Sequence, residues 1–457
     1  MRSPTFTVLS VALVAAFAPA AQAQSNAELL NELQALKARI TDLEKKLGEQ
    51  PRPGTPQWGM TPEQVQDFNR IAVKTEALED NAEASGFKGL KISGVIDPTF
   101  IVNKNQRTSS FVFLNNFAGD ESFAYDNSYF GMAVIDFQKE LEGGTRWRLT
   151  LAPHKSVGSN YNYPSIVHEA SISIPITDLA TRFWAGQIPD WSGYEYYLAN
   201  QTKLITHNMM FDFLAPTFYT GIGTDMTIDK WIVKTALGNL NSARNNIGSD
   251  GSALRDPVFS TRVDYSKGEF NGFGGALQYG RVTNNGAAGG YSTLANGEVD
   301  AYFIRGDLTL QGQINLGSQK NAAYNGNNSE WWGLSGLAAY KMSPRLELVS
   351  RLDYIDNHKN GGGTFNIAFG PDGPDGRNGF GPGMVQGPAG DWQVDDPNKG
   401  ANRTALSLGV NYALTANAVI KAEYRYDYAS QAVFQVLPDG TWRKDNHLFG
   451  TSVVVSF

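Results

Sequence analysis

From Gly89 to Phe457 the chain repeats one pattern: short runs in which apolar and polar residues alternate, joined by tight connections and by long ones in turn. Leu90, Ile92, Ile96 and Phe100 alternate with Lys91, Ser93, Asp97 and Thr99, and Trp147, Leu149 and Leu151 alternate with Arg146, Arg148 and Thr150. Leu346, Leu348, Leu352 and Tyr354 stand against Arg345, Glu347, Arg351 and Asp353. Ile420, Ala422, Tyr424, Tyr426 and Tyr428 stand against Lys421, Glu423, Arg425 and Asp427. Tyr302, Ile304, Leu308 and Leu310 read as a further apolar face opposite Arg305, Asp307 and Thr309. A period of two is that of a β-strand, whose successive side chains point to opposite faces. A strand with charges on one face and aliphatic or aromatic residues on the other needs water beside the first and a non-polar medium beside the second.

The connections sort by length. Tight ones fall near Leu141 to Gly144, Thr177 to Ala180, Asp225 to Asp229, Ser266 to Phe270, Gln311 to Gln313, Met342 to Pro344 and Thr415 to Asn417. Long ones fall near Asn103 to Asp126, Ser156 to Pro164, Asp190 to Pro216, Asn239 to Asp256, Thr283 to Glu298, Gly317 to Ser329, His358 to Asn402 and Ala429 to Asp445. Seven short and eight long connections join sixteen strands and leave both barrel ends on the side of the short turns. Short turns on one side and long loops on the other describe an outer-membrane barrel. The predicted fold class is therefore all-β, a 16-stranded antiparallel transmembrane barrel over residues 87–457, preceded by a short α-helical coiled coil. After residue 23 no run approaches the about 18 apolar residues of a spanning helix, and the mean hydropathy is −0.31. A crossing of the membrane falls to strands.

The N-terminal 86 residues follow other rules. Met1-Arg2, an apolar stretch from Phe6 to Phe17 and Ala21-Gln22-Ala23 make a signal peptide over residues 1–23. Within residues 24–50, Leu29, Leu33, Leu36, Ile40, Leu43 and Leu47 alternate steps of four and three. This is a heptad seam, with Glu32/Lys37 and Arg39/Glu44 placed for charge pairing between parallel chains. The alternative is one amphipathic helix packed on its own domain. Pro51-Arg52-Pro53-Gly54-Thr55-Pro56 makes residues 51–61 a stiff linker. Thr61-Pro62-Glu63-Gln64 opens an acidic helix over residues 62–86 with a capping box.

Composition removes several functions. The formal charge of −7 disfavours nucleic acid as a partner, since phosphate binding wants a basic surface. The chain has no cysteine, so disulfides do not contribute. The five histidines have no spacing suited to zinc, and no phosphate cradle or nucleophile elbow occurs. Asp391, Asp395 and Asp396 lie in a turn-rich loop from Gly361 to Gly400 without the order of a calcium loop. No catalytic residue, metal site or cofactor is predicted. Trp184, Trp231, Trp332, Tyr354, Tyr412, Tyr424, Tyr426, Tyr428 and Phe449 are candidates for interfacial girdles.

Signal peptide, sixteen alternating strands, a long connection after the fifth strand and a C-terminal Phe457 together resemble the Gram-negative outer-membrane porins of the trimeric type. The resemblance implies a homotrimer in outer-membrane lipid, assembly machinery that recognises Phe457, and a third long loop folded inward to narrow the channel. Asp190, Glu195 and Asp212 would then be the acidic side of a constriction. Arg146, Arg148, Arg182, Arg262, Arg305, Arg351 and Arg425 would face it. For each arginine the competing reading is a salt bridge with a lumen neighbour such as Asp264, Asp307 or Asp353. Trp191, Tyr194, Tyr196 and Tyr197 could offer sugar rings a sliding surface or simply pack the loop against the wall. The heptad resembles the periplasmic extension of sucrose- and phosphate-porin types, but the Pro-rich spacer and second helix depart from both. The whole is also similar to an uncharacterised proteobacterial porin-like family.

The function expected on these grounds is passive diffusion of small hydrophilic solutes or ions across the outer membrane, with no chemical step and with the coiled coil in the periplasm. Two rivals are a structural tether or adhesin with a plugged barrel, and a barrel enzyme of lipase or protease type. The second lacks a triad arrangement on one rim.

Overall fold

The structure, a computed structural model, describes residues 61–84, 87–113, 131–152, 166–241, 256–268, 270–284, 286, 289–364, 366–367, 369–370 and 373–457. The signal peptide, the heptad residues Leu29, Leu33, Leu36, Ile40, Leu43 and Leu47, and most of the linker lie outside the described residues. The chain divides into two units, Met1–Lys88 and Gly89–Phe457. In the first, helix α1 (Pro62–Ala84) carries the capping box. The Thr61 N–H donates to Gln64 Oε1 (2.9 Å) and the Gln64 N–H to Thr61 Oγ1 (3.3 Å), so each residue satisfies a donor that the first helical turn leaves open.

The second unit is a closed antiparallel barrel of sixteen strands. In chain order they are β1 (Leu90–Ile96 and Thr99–Asn103), β2 (Thr108–Val112 and Ala133–Glu140), β3 (Arg146–Leu151), β4 (Val167–Asp178), β5 (Thr181–Pro189) and β6 (Phe218–Ile228). They continue with β7 (Trp231–Asn241), β8 (Val258–Gly268), β9 (Asn271–Thr283), β10 (Tyr291–Arg305) and β11 (Leu308–Gln319). The last five are β12 (Ser329–Lys341), β13 (Leu346–Asp356), β14 (Arg403–Ala413), β15 (Ala418–Ala429) and β16 (Asp445–Ser456). Each pairs with its neighbours in sequence, and β16 closes on β1 through Ile96↔Val455, Thr99↔Ser452 and Asn103↔Leu448.

Closure ends at Phe457. Its N–H donates to the Gly94 carbonyl (3.1 Å) and its carbonyl accepts from the Gly94 N–H (2.9 Å). A Cβ at Gly94 would lie 2.4 Å from Phe457 Cζ and 2.6 Å from the Val134 carbonyl oxygen, so only glycine leaves room for the terminal ring.

Around the outside, Ile172, Ile174, Leu237, Leu277, Ile314, Leu316, Leu348, Leu352, Leu408 and Val453 are all exposed. They form the apolar belt that a barrel in lipid requires. Trp332, Tyr412, Tyr424, Tyr428 and Phe449 share this outer exposure. Trp184 does not. It is buried, donates its indole N–H to the Thr235 carbonyl (3.1 Å) and packs in an interior cluster with Met209, Met210 and Phe213.

Three connections differ from the sequence reading. The chain turns tightly between Asn103 and Thr108, and the long excursion expected from Asn103 to Asp126 instead interrupts β2, whose two parts end at Val112 and resume at Ala133. Its return is fixed by Asp97, whose carboxylate accepts the N–H groups of Gly131 (3.0 Å) and Met132 (2.6 Å). Pro98, which cannot donate to a ladder, sits at the matching break in β1. The turn expected at Gln311 to Gln313 falls at Gly306-Asp307, where Gly306 has φ +59°. This reverses the assignment of faces in β10: Phe303 and Arg305 are exposed outward while Glu298 and Asp300 are buried. The loop before β10 is also shorter than Thr283 to Glu298, since β10 begins at Tyr291.

Candidate functional site

The connection from β5 to β6, residues 190–217, enters the lumen and contains one short helix, α2 (Met209–Phe213). Asn208 caps it, its side chain accepting from the Phe211 N–H (2.7 Å). A segment with little regular structure inside a barrel must find partners for its own backbone. Strands β13 and β15 supply them.

Inward residues of a strand recur every second position, so Lys421, Glu423, Arg425 and Asp427 form a ladder of alternating sign on β15. The Lys421 ammonium donates to the carbonyls of Ala199 (2.7 Å) and Thr202 (2.6 Å). The Glu423 carboxylate accepts from the N–H groups of Ile205 and Thr206 (both 2.8 Å) and from Thr206 Oγ1 (2.6 Å). Arg351 donates to the carbonyls of Thr206 and His207 (both 2.7 Å) and pairs with Asp353 (3.1 Å) and Glu195 (3.2 Å). Arg425 reaches the His207 carbonyl (3.0 Å) and pairs with Asp427 (3.0 Å). Arg403 pairs with Asp427 (2.9 Å), donates to the Asn378 carbonyl, and lies over the rings of Phe213, Phe380 and Phe434 at 5.1–5.5 Å.

All five side chains are buried. The inner face of β13 to β15 is therefore dry beneath the loop, where the sequence alone suggested water against every inward charge. A charge removed from water must be paired and hydrogen-bonded. The alternating ladder pairs the charges, and the loop backbone takes up the remaining donors and acceptors.

The opposite side of the lumen is open. A cavity of about 530 Å³ lies between the loop and strands β3 to β7, lined on the wall by Arg148, Glu169, Ser171, Ser173, Asp225 and Lys234 and on the loop by Asp190, Trp191, Glu195 and Tyr196. Arg148 pairs with Asp136 (2.9 Å) and Glu169 (3.1 Å), its side chain 38% exposed. Trp191 stacks on Tyr219 (centroids 4.6 Å apart) and Tyr197 on His168 (3.7 Å), while the Tyr194 hydroxyl meets Ser335 Oγ (2.5 Å). Of these loop aromatics only Tyr196 is exposed.

Asp190 is held by the Tyr219 hydroxyl (2.6 Å) and the Ser192 N–H (3.0 Å). Burial, partly offset by these donors, pushes its carboxyl up to about 6. Burial likewise pushes Glu195 up to about 7 against the pull of Arg351. His207 is pushed down to about 3 by burial. It is neutral near pH 7, with Nε2 2.8 Å from the Tyr196 carbonyl.

The residues singled out in the sequence divide accordingly. Arg148, Asp190 and Glu195 line the cavity. Arg351 and Arg425 are fastened behind the loop. Arg262 is bound by Asp264 (2.7 Å), Glu298 (3.0 Å) and Asp300 (2.8 Å). Arg182 is buried against the Gly144 carbonyl (2.6 Å) and Ser173 Oγ (2.7 Å), and Arg146 pairs with Glu140 (2.8 Å) at the exposed turn. Asp212 is fully buried in α2, outside the cavity lining. Arg305 is on the outer face at the end of β10 and leaves the constriction set, because the turn at Gly306-Asp307 sets the parity of that strand. Glu169, Asp225 and Lys234 were not singled out. Strand parity was the signal, since Asp225 and Lys234 are register partners across β6 and β7.

Among solved structures, the chain is similar to OmpT, an outer membrane protein of Vibrio cholerae, at 12% identity and TM-score 0.50, covering 80% of this chain and 97% of that one. It is also similar to the anion-selective porin from Comamonas acidovorans, at 10% identity and TM-score 0.51, covering 80% and 99%. At such identities the likeness speaks for the fold, which is that of the outer-membrane porins. No curated protein matches the sequence. A family model described as protein of unknown function (DUF3138) matches residues 59–457, and the chain belongs to that family.

Proposed function

We propose that the protein is an outer-membrane channel through which small hydrophilic solutes or ions diffuse, with no chemical step. The supporting observation is the asymmetry of the lumen: the inward loop is bound to β13 to β15 yet leaves a cavity of about 530 Å³ against β3 to β7, lined with charged and hydroxyl groups. A lumen closed by a plug would leave no open space beside the Arg148 guanidinium, which is 38% exposed. Homotrimeric assembly, a periplasmic coiled coil and recognition of Phe457 by the assembly machinery belong to the same reading. Phe457 supports it by lying exposed at the last closure position. Reconstitution into a planar bilayer tests the proposal. Stepwise conductance, in triplets for a trimer, is the expected result, whereas a folded and inserted barrel that carries no current contradicts it and leaves the tether reading.

A further inference from the structure

Resting on the channel reading above, we propose that the passage favours cations over anions, with Asp190 and Asp225 setting the preference. Behind the loop, charges of opposite sign alternate along β13 and β15 and largely cancel within a few ångströms. Beside the passage they do not cancel. Arg148 is held by two carboxylates, Asp136 and Glu169. Asp190 is held by neutral donors, the Tyr219 hydroxyl and Ser192. Arg262, whose charge reaches Asp190, is already engaged by Asp264, Glu298 and Asp300.

Asp225 and Lys234 face each other in the register of β6 and β7, line the cavity, and close no ion pair among the described residues. Arg182, the register partner of Asp225 on β5, adds a cation on the other side of it, but the cavity lining as a whole carries four carboxylates, Glu169, Asp190, Glu195 and Asp225, against the cations Arg148 and Lys234. A narrow aqueous path with low-dielectric walls focuses such a field onto the permeating ion. The exposed ring of Tyr196 adds a face that attracts cations and not anions.

The preference responds to acid. Glu195 faces Arg351 and Asp353 from β13 and Lys421 and Glu423 from β15. Asp190 faces Ser192 from the loop, Tyr219 from β6, Arg262 from β8 and Glu298 from β10. Both carboxyls are raised by burial, to about 7 and about 6, so both take protons as the pH falls from about 8 to about 5. Negative charge beside the passage is lost in that window, and the cation preference falls with it.

The test is the reversal potential of the full-length protein in a planar bilayer across a potassium chloride gradient. The expected potassium-to-chloride permeability ratio is above one at pH 8, declining toward one at pH 5. Asp225→Asn and Asp190→Asn each lower it, and Lys234→Gln raises it. A wild-type ratio below one, or a ratio moved by neither Asp225→Asn nor Lys234→Gln, overturns the cation preference while leaving the channel intact. An inserted barrel without current overturns the channel reading itself.

Discussion

The two sides of the lumen use the same residue types for opposite ends. On β13 and β15, Arg351, Lys421, Glu423 and Arg425 are buried and hold the backbone of residues 199–207. On β3 to β7, Arg148, Asp225 and Lys234 border open space. An inward charge in a barrel strand does not by itself specify a pore-lining residue. What the loop presents to it decides: carbonyls and amides on one side, side chains and solvent on the other.

Three substitutions probe this contrast, in falling order of effect. Lys421→Ala removes the ammonium from the carbonyls of Ala199 and Thr202 and leaves Glu423 unbalanced in a dry site. Breaking such a buried arrangement costs about 3–5 kcal/mol. The loop is expected to loosen, lowering the temperature at which the barrel loses its heat-modifiable electrophoretic mobility and raising single-channel noise. Gly94→Val acts at the barrel seam, where even a Cβ lies 2.4 Å from Phe457 Cζ. Overpacking there costs about 1–3 kcal/mol, seen as reduced yield of folded barrel with unchanged conductance per inserted channel. Arg148→Ala removes a guanidinium that is 38% exposed from two buried carboxylates, Asp136 and Glu169; because water reaches this site the cost is about 1 kcal/mol. Thermal stability falls modestly, while the reversal potential shifts further toward cations. A large loss of stability from Arg148→Ala with none from Lys421→Ala would reverse the assignment of the two sides.

The barrel was legible because its physics is written in side chains: alternation with period two, and connections sorted by length. The errors fell where backbone decides. Gly306-Asp307 forms a two-residue turn that the apparent alternation of Tyr302, Ile304, Leu308 and Leu310 with Arg305, Asp307 and Thr309 conceals, and the resulting parity carries Arg305 outward. The interruption of β2 depends on Asp97 capturing two amides 34 and 35 residues away, a contact no local pattern announces. The loop's boundaries were also readable, from Asp190 to Pro216. Its seat was not, because Lys421, Glu423 and Arg351 bind peptide groups, which every residue carries alike. Trp184 looked like a girdle residue by its position near a strand end, yet strand parity sets it on the lumen face with Arg182, where it packs with Met209, Met210 and Phe213 of α2.

The central claim, that permeation runs between the loop and β3 to β7 and not along β13 to β15, is open to one direct measurement. The chain contains no cysteine, so an introduced thiol reports on its own surroundings alone. Ser171 lines the open passage, and Ser407 is fully buried beside Arg351. Single-channel current is recorded from Ser171→Cys and Ser407→Cys before and after a charged, water-soluble thiol reagent. The account predicts a stepwise fall in current for Ser171→Cys and none for Ser407→Cys. Block at Ser407→Cys with an unaffected Ser171→Cys would contradict it.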